Sequence, residues 1–512
     1  MARKAPALPL LAVLLCFAAH SWTPAAAQKL SVGNDYQLVY SVAAYFEMNG
    51  IKGTVSITQD GLYNPAAITA RLSGFPRKNI LQNYDWVIRE YPVRYSLLPD
   101  FPCSDAELGD VFDPLNQQVS QTYDVDCKND TSKCAVGDLS GRVGYLLSNQ
   151  KVQTFQYPGL QLRGPYSPVG RSIVIYSQQA GNISVALACA NIERQGIKIV
   201  TLRASFQEPS RIQGEVFFRF VDGRSEVTIF ADLYRLDGNQ GENIWTLRES
   251  IQPGVCGVLY QVYGTSAAYA NTDYYQYLQN CNRTNPRSCV IGDLTSKCGN
   301  LTSDSRGRMR AFCTDAQLGL VPLSSILPLT LTIQNNSAPP FILDCAPLQA
   351  ISPEAAVVLG STNLPNSQIF VNLLFFQADP YERTFIRSYY YYKRTPRPIS
   401  YMEIRDNSTN RALARKNQVY LTSPQIALKL ASGAIVTGDQ VPIGDLQFKV
   451  PTAGKNLYRS TDVTLWLPLY GLYNITNRVL VVKDTLNGVL LSAPIQRYDN
   501  PASLYPSFMG YN

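Results

Sequence analysis

The chain has 512 residues and one histidine, His20. That histidine lies in a stretch that reads as a secretory signal over residues 1–27: Arg3 and Lys4, an apolar run from Leu8 to Ala19, and Ala25, Ala26 and Ala27 before Gln28. Cleavage after Ala27 leaves a mature chain with no imidazole. Ser-His-Asp and Cys-His nucleophilic sites, histidine proton shuttles and the commonest zinc and copper sites all need that group, so one absence excludes them together.

Other scarcities narrow the class further. Past Ala27 no apolar stretch approaches the roughly 20 residues of a spanning helix, and the end from Ser503 to Asn512 is no lipid-anchor tail. The expectation is a soluble, secreted protein with no membrane span. Lys and Arg number 45 against 38 Asp and Glu, with no basic run, so there is no footprint for nucleic acid. No carboxylate pair for acid/base work and no Ser-Lys arrangement stands out.

What is present fits the secretory route. Of the 11 cysteines, Cys16 leaves with the signal, and an even number in a secreted chain favours disulfides over free thiols or metal. Cys127 and Cys134, like Cys281 and Cys289, are close in sequence and precede a Gly-Asp-Leu motif, so they read as two local staples. Asn129, Asn182, Asn282, Asn300, Asn335, Asn407 and Asn474 each begin an N-glycosylation sequon, so N-linked glycans are expected.

Period-2 alternation dominates, as in Gly53-Thr54-Val55-Ser56-Ile57-Thr58 and Gly214-Glu215-Val216-Phe217-Phe218-Arg219-Phe220, which predicts short antiparallel strands with one face buried. Asn49-Gly50, Asp60-Gly61, Asp222-Gly223 and Asp237-Gly238 supply turns between them. No long amphipathic helix is apparent.

A repeat emerges when landmarks are aligned. Trp86-Val87-Ile88-Arg89-Glu90 returns as Trp245-Thr246-Leu247-Arg248-Glu249, Val136-Gly137-Asp138-Leu139 as Ile291-Gly292-Asp293-Leu294 and again as Ile443-Gly444-Asp445-Leu446, and Leu187-Ala188-Cys189 as Leu343-Asp344-Cys345. The offsets are about 155 residues, which predicts three similar domains over 28–195, 196–352 and 353–512. The third has no cysteine and must rely on core packing.

In their order, these landmarks resemble the copper/zinc superoxide dismutase family, in particular secreted proteins that string several such domains together. Gly53-Thr54-Val55 resembles its opening strand, Trp86 to Glu90 its HxHE ligand strand, and Cys103 to Pro114 its cysteine loop. Val136 to Leu139 resembles its HVGDL, Val169 to Tyr176 its GRTLVVH strand, and Leu187 to Cys189 its terminal LAC. In the third repeat, Asn477 to Lys483 resembles the GR strand.

The resemblance implies an all-β fold of three tandem Greek-key β-barrels, of immunoglobulin-like sandwich or barrel architecture. It also implies Cys103–Cys189 and Cys256–Cys345 as the family disulfide, leaving Cys298–Cys313 beside the staples Cys127–Cys134 and Cys281–Cys289. The chemistry is not implied. The ligand histidines read Val87, Arg89, Val111, Ala135 and Tyr176 in the first repeat, with no counterpart for the remaining zinc histidine after Pro114, and the superoxide-guiding arginine reads Ala186. Matching positions are Thr246, Arg248, Val290 and Gln334 in the second repeat, and Pro442 and Lys483 in the third; the zinc aspartate persists as Asp138, Asp293 and Asp445.

Two expectations follow for that emptied site: no cofactor, and a guanidinium that replaces the metal charge by pairing Arg89 with Asp138 and Arg248 with Asp293. The alternative is that both arginines face solvent. Tyr389-Tyr390-Tyr391-Tyr392 reads either as an aromatic assembly surface or as strand tyrosines on alternating faces. The functional expectation is a catalytically inactive structural or interaction glycoprotein of an extracellular assembly, with protein partners and self-association. The competing expectation is a carrier holding a small molecule in the emptied cleft or an inter-domain groove.

Overall fold

The computed structural model describes residues 39–504 apart from 62–63, 76–82, 96–101, 179–183, 196, 222–223, 239, 251–254, 257–258, 263–280, 282–287, 317, 321–328, 338–340, 365–366, 394–398, 407–445, 447–456, 465–466, 472–473, 485 and 487. The signal at 1–27 lies outside these residues, as do Asn182, Asn282, Asn407, Pro442 and Asp445.

Alternation becomes pleat in the first strands. β1 (Val39–Met48) turns into β2 (Ile51–Asp60) through Asn49 and Gly50, whose φ values of 53° and 85° are those a two-residue hairpin turn needs. In β2, Ile51, Val55 and Ile57 are buried while Lys52 and Asp60 are exposed. The segment continues with β3 (Ala66–Ser73), β4 (Asn83–Arg89), β5 (Leu146–Leu147), β6 (Val152–Tyr157), β7 (Ser172–Gln178) and β8 (Ser184–Arg194).

These eight strands make one antiparallel sheet in the order β5-β4-β7-β8-β1-β2-β3-β6. Its two ends meet through a side chain: the Leu147 N–H donates to Gln153 Oε1 at 2.9 Å, and Gln153 Nε2 donates to the Leu147 carbonyl at 3.2 Å. Gln153 is buried, so its amide takes up backbone groups of β5 that no further strand pairs.

The second segment holds β9 (Ile199–Phe206), β10 (Ile212–Val221), β11 (Val227–Arg235), β12 (Glu242–Ser250), β13 (Leu259–Val262), β14 (Leu301–Thr302), β15 (Arg308–Asp315), β16 (Leu329–Asn335), β17 (Ile342–Pro347) and β18 (Gln349–Ala350). The third holds β19 (Glu354–Leu364), β20 (Ser367–Gln377), β21 (Thr384–Lys393), β22 (Ile399–Arg405), β23 (Leu457–Thr464), β24 (Val479–Asp484), β25 (Val489–Pro494) and β26 (Gln496–Arg497). Their sheets run β15-β11-β10-β9-β18 with β13-β12-β16-β17, and β23-β21-β20-β19-β26 with β22-β24-β25.

The neighbours β4-β7-β8 and β8-β1-β2-β3 recur as β12-β16-β17 with β18-β9-β10-β11 and as β22-β24-β25 with β26-β19-β20-β21, while β12 is flanked by both β13 and β14 and no described strand takes the place of β5 beside β22. β8 pairs with both β7 and β1, whereas β17 and β18 divide that task in the second segment and β25 and β26 divide it in the third. The fold is mostly β, with one near-closed eight-stranded sheet and four smaller antiparallel sheets. The cores follow the inward faces: Trp86, Ile88, Val55 and Ile57 in the first segment, Trp245, Leu247, Phe218 and Leu331 in the second, and Val371, Phe375, Leu480 and Val482 in the third.

Helices are short: α1 (Asp105–Leu108), α2 (Tyr123–Asn129), α3 (Leu139–Val143) and α4 (Leu294–Cys298). Among the described residues no helix is long and apolar enough to cross a membrane. Five disulfides join Cys103 to Cys189, Cys127 to Cys134, Cys256 to Cys345, Cys281 to Cys289 and Cys298 to Cys313. Such a set belongs to an oxidising compartment.

The described residues form one compact unit. Tyr91 of the first segment, Phe217, Phe230 and Phe312 of the second and Tyr381 of the third form a shared buried aromatic cluster, with Phe217 and Phe230 meeting Tyr381 edge-on at 4.6 and 5.4 Å.

Candidate functional site

The ligand positions of the first segment come together on β4, β7 and the loop that follows α1. Val87 and Arg89 project from the same face of β4, and Val111 forms an isolated bridge with Arg89. Pairing of β4 with β7 brings Tyr176 to the same place: Arg89 Nε donates to the Tyr176 hydroxyl at 3.0 Å, and Nη2 contacts the same oxygen. Arg89 Nη1 donates to the Gly109 carbonyl at 3.0 Å, and Nη2 pairs with Asp105 at 2.5 Å. Arg89 is buried and Asp105 is largely exposed, with 73 % of its side chain open, so the guanidinium is held by one phenol, one carbonyl and a carboxylate at the rim.

The expected Arg89–Asp138 pair does not form. Asp138 is already satisfied as the N-cap of α3: its Oδ1 accepts the Gly141 N–H at 2.8 Å, and its Oδ2 accepts the Tyr123 hydroxyl at 3.1 Å. The Ala135 N–H donates to the Tyr123 hydroxyl at 3.0 Å. Asp138 thus has hydrogen-bond donors on both oxygens without Arg89.

Arg248 and Asp293 also form no ion pair, for the same reason. Asp293 caps α4, accepting the Ser296 N–H at 3.0 Å and the Ser296 hydroxyl at 2.6 Å. Thr246 shares a hydroxyl contact of 2.8 Å with Thr332, Val290 is half-buried, and Gln334 lies opposite Ile244 in the β12–β16 register.

Asp138 and Asp293 therefore belong to a duplicated structural unit. The Trp86 N–H donates to Ser140 Oγ and the Trp245 N–H to Thr295 Oγ1, both at 2.8 Å. The indole N–H groups close the far ends of the helices, donating to the Gly144 carbonyl at 2.7 Å and the Gly299 carbonyl at 2.8 Å. Gly144 and Gly299 have φ of 101° and 92°, where a side chain would be strained.

The third segment reveals positions that sequence comparison missed. In the β22–β24 register Arg405 lies opposite Val479 and Glu403 opposite Val481, as Arg89 lies opposite Ser172 and Val87 opposite Val174. Glu403 and Arg405 thus hold the register positions that Val87 and Arg89 hold in the first segment. Glu403 accepts Arg405 at 2.6 Å and Lys483 at 2.8 Å, so this segment fills the place with an internal ion triad. Met402-Glu403-Ile404-Arg405-Asp406 keeps the pattern of Trp86 to Glu90, but Met402 replaces the tryptophan that makes the other two copies visible.

The residues present do not fit copper or zinc. None offers an imidazole, burial pushes the Tyr176 phenol up despite the pull of Arg89, and a guanidinium already occupies the space between the ligand strands, where it would repel a metal cation. Two groups of metal-type residues occur among the described residues, Cys127 with Cys134 and Asp138, and Cys256 with Asp344 and Cys345. In both, the sulfurs are spent in a disulfide and are not thiolates.

Of the sequons, Asn129 is exposed at the end of α2. Asn300, Asn335 and Asn474 are half-buried; Asn300 donates to Glu242 at 2.6 Å, Asn335 contacts the hydroxyl of its own sequon residue Ser337, and Asn474 accepts the Thr476 N–H at 2.8 Å. In the tyrosine run, Tyr389 is exposed and Tyr390 fully buried, the alternation of an ordinary strand.

No family model matches the chain, and no curated protein matches it. Among solved structures it is similar to superoxide dismutase 5 of Candida albicans. The Cu(II) form is 22% identical over 31% of this chain and 93% of that one, with a TM-score of 0.24. Two glutamate-substituted mutants of the same enzyme are 22% and 24% identical over 31% of this chain and 92% and 90% of theirs, both with a TM-score of 0.24. About a third of the chain is thus similar to a superoxide dismutase structure.

Proposed function

We propose that the protein is a secreted, disulfide-bonded glycoprotein whose three superoxide dismutase-like repeats, without dismutase activity, serve as a structural or interaction module of an extracellular assembly. The observation that carries this reading is the seat of Arg89 between β4 and β7, held by Tyr176, Gly109 and Asp105 where the family's chemistry needs a metal. A module of this kind needs rigid, covalently fastened surfaces rather than a reactive group. Five disulfides and the shared aromatic cluster supply that rigidity. Its partners are proteins, beginning with further copies of itself.

A second reading, a small-molecule carrier, is favoured by one feature. A cavity of about 410 Å³ is lined by Arg94, Glu215, Phe217, Asp232, Tyr234 and Tyr381, a size and mixture suited to a small ligand.

Purified mature protein tests both. Metal analysis, a superoxide assay and light scattering over a range of concentrations are expected to give no stoichiometric copper or zinc, no turnover and growth into larger particles. Stoichiometric copper with superoxide turnover overturns both readings, whereas a concentration-independent monomer carrying a co-purified small molecule replaces the first with the second.

A further inference from the structure

All three segments meet at Arg219 on β10. Its guanidinium pairs with Glu193 Oε1 at 2.9 Å from the end of β8, and with Asp379 Oδ2 and Glu382 Oε1, each at 3.0 Å, from the turn between β20 and β21. The arginine side chain is 9 % exposed, Glu193 9 %, and Asp379 and Glu382 2 % each. Thr201 on β9 donates its hydroxyl to Asp379 at 2.7 Å.

The other charged and titratable groups around this cluster are few. Arg383 stacks on Tyr45 at 3.4 Å and on Phe385 at 4.6 Å, and its charge acts on Glu382. Arg194 pairs with Glu226 and so adds no net charge. The Tyr95 and Tyr381 phenols are buried, and burial pushes both up, so they stay neutral. Three carboxylates therefore face two guanidiniums in an interior that tolerates no unbalanced charge. Glu193 and Glu382 bind Nη1 and Nη2 of the same guanidinium, so the two carboxyls are close neighbours that repel each other unless one carries a proton.

We propose that this junction is a proton-dependent clamp, in which one proton shared by the Glu193 and Glu382 carboxyls lets the three segments close on Arg219, and loss of that proton loosens them. The proton comes from and returns to solvent, and no covalent bond changes. Burial, opposed by Arg219, pushes the Glu193 carboxyl from 4.5 up to about 8, and burial raises Glu382 as well.

A carboxyl raised in the closed state stabilises closure fully below its ordinary value near 4.5, and that stabilisation is lost as pH climbs through about 8. The opening equilibrium accordingly rises about tenfold per pH unit across that window and levels off above it.

Hydrogen exchange of β10 and of residues 379–382 in the full mature chain, referenced to unstructured peptides of the same sequence, measures that equilibrium from pH 5 to 9. Glu193→Gln and Glu382→Gln keep the shape and replace the shared proton with an amide, so each variant tests the clamp if the other fails to fold. A rise in the wild-type chain that is flattened in either variant supports the shared proton. An equal pH dependence in the wild-type chain and both variants, or no rise in the wild-type chain, overturns it.

Discussion

Arg89 and Arg219 are both strand arginines with buried side chains, yet they are held in opposite ways. Arg89 is held by residues of a single segment and leans on Asp105, a carboxylate mostly in water. Arg219 sits where three segments converge and is enclosed by three carboxylates, none of them more than 9 % exposed. The first arrangement seats a cation at low electrostatic stake. The second commits buried charge to the relation between segments, so the largest cost of losing an ion partner lies at the junction rather than at Arg89.

That contrast is broken most directly at Arg219. Arg219→Ala strands three buried acids and is expected to destabilise the chain by about 3–5 kcal/mol in urea unfolding, the range for removing one partner of a buried ion pair. A loss within the range of a surface pair would mean that solvent reaches the junction and that the two arginines do not differ.

The duplicated helix cap offers an intermediate test. Asp138→Ala and Asp293→Ala are each expected to cost about 0.5–2 kcal/mol in thermal unfolding, because each removes an N-cap acceptor. Similar losses in the two variants support a shared capping role, whereas a several-fold larger loss for Asp138→Ala would restore a special electrostatic role to the first cleft.

The smallest effect is expected at Asp105. Asp105→Ala removes an exposed partner and leaves Arg89 with Tyr176 and Gly109, so the cost should not exceed about 1 kcal/mol and should shrink with added salt. A change as large as that of Arg219→Ala would erase the comparison.

The sequence made the strand alternation, the Asn49–Gly50 turn and the repeated landmarks visible because each is local, and the cysteine pairs followed once the order of landmarks was aligned. The pairing of Arg89 was not legible: nothing in the local sequence tells that Asp138 is engaged as the cap of α3 and that Asp105 lies beside the guanidinium instead. Arg405 escaped notice because the landmark tryptophan is Met402. The Arg219 junction has no motif at all, since Glu193, Arg219 and Glu382 come from three segments and Arg219 and Glu382 are separated by 163 positions. Only the packing of finished sheets brings them together.

Trp86 and Trp245 are both fully buried and bonded to equivalent glycine carbonyls. Each of the first two segments thus carries an indole fluorophore in nearly the same surroundings, positioned to brighten or shift when its own helix lets go. Replacing Trp466 and one of these two by phenylalanine would leave the other as the one indole of the mature chain, so the loosening of one repeat could be followed in real time while its twin stays silent.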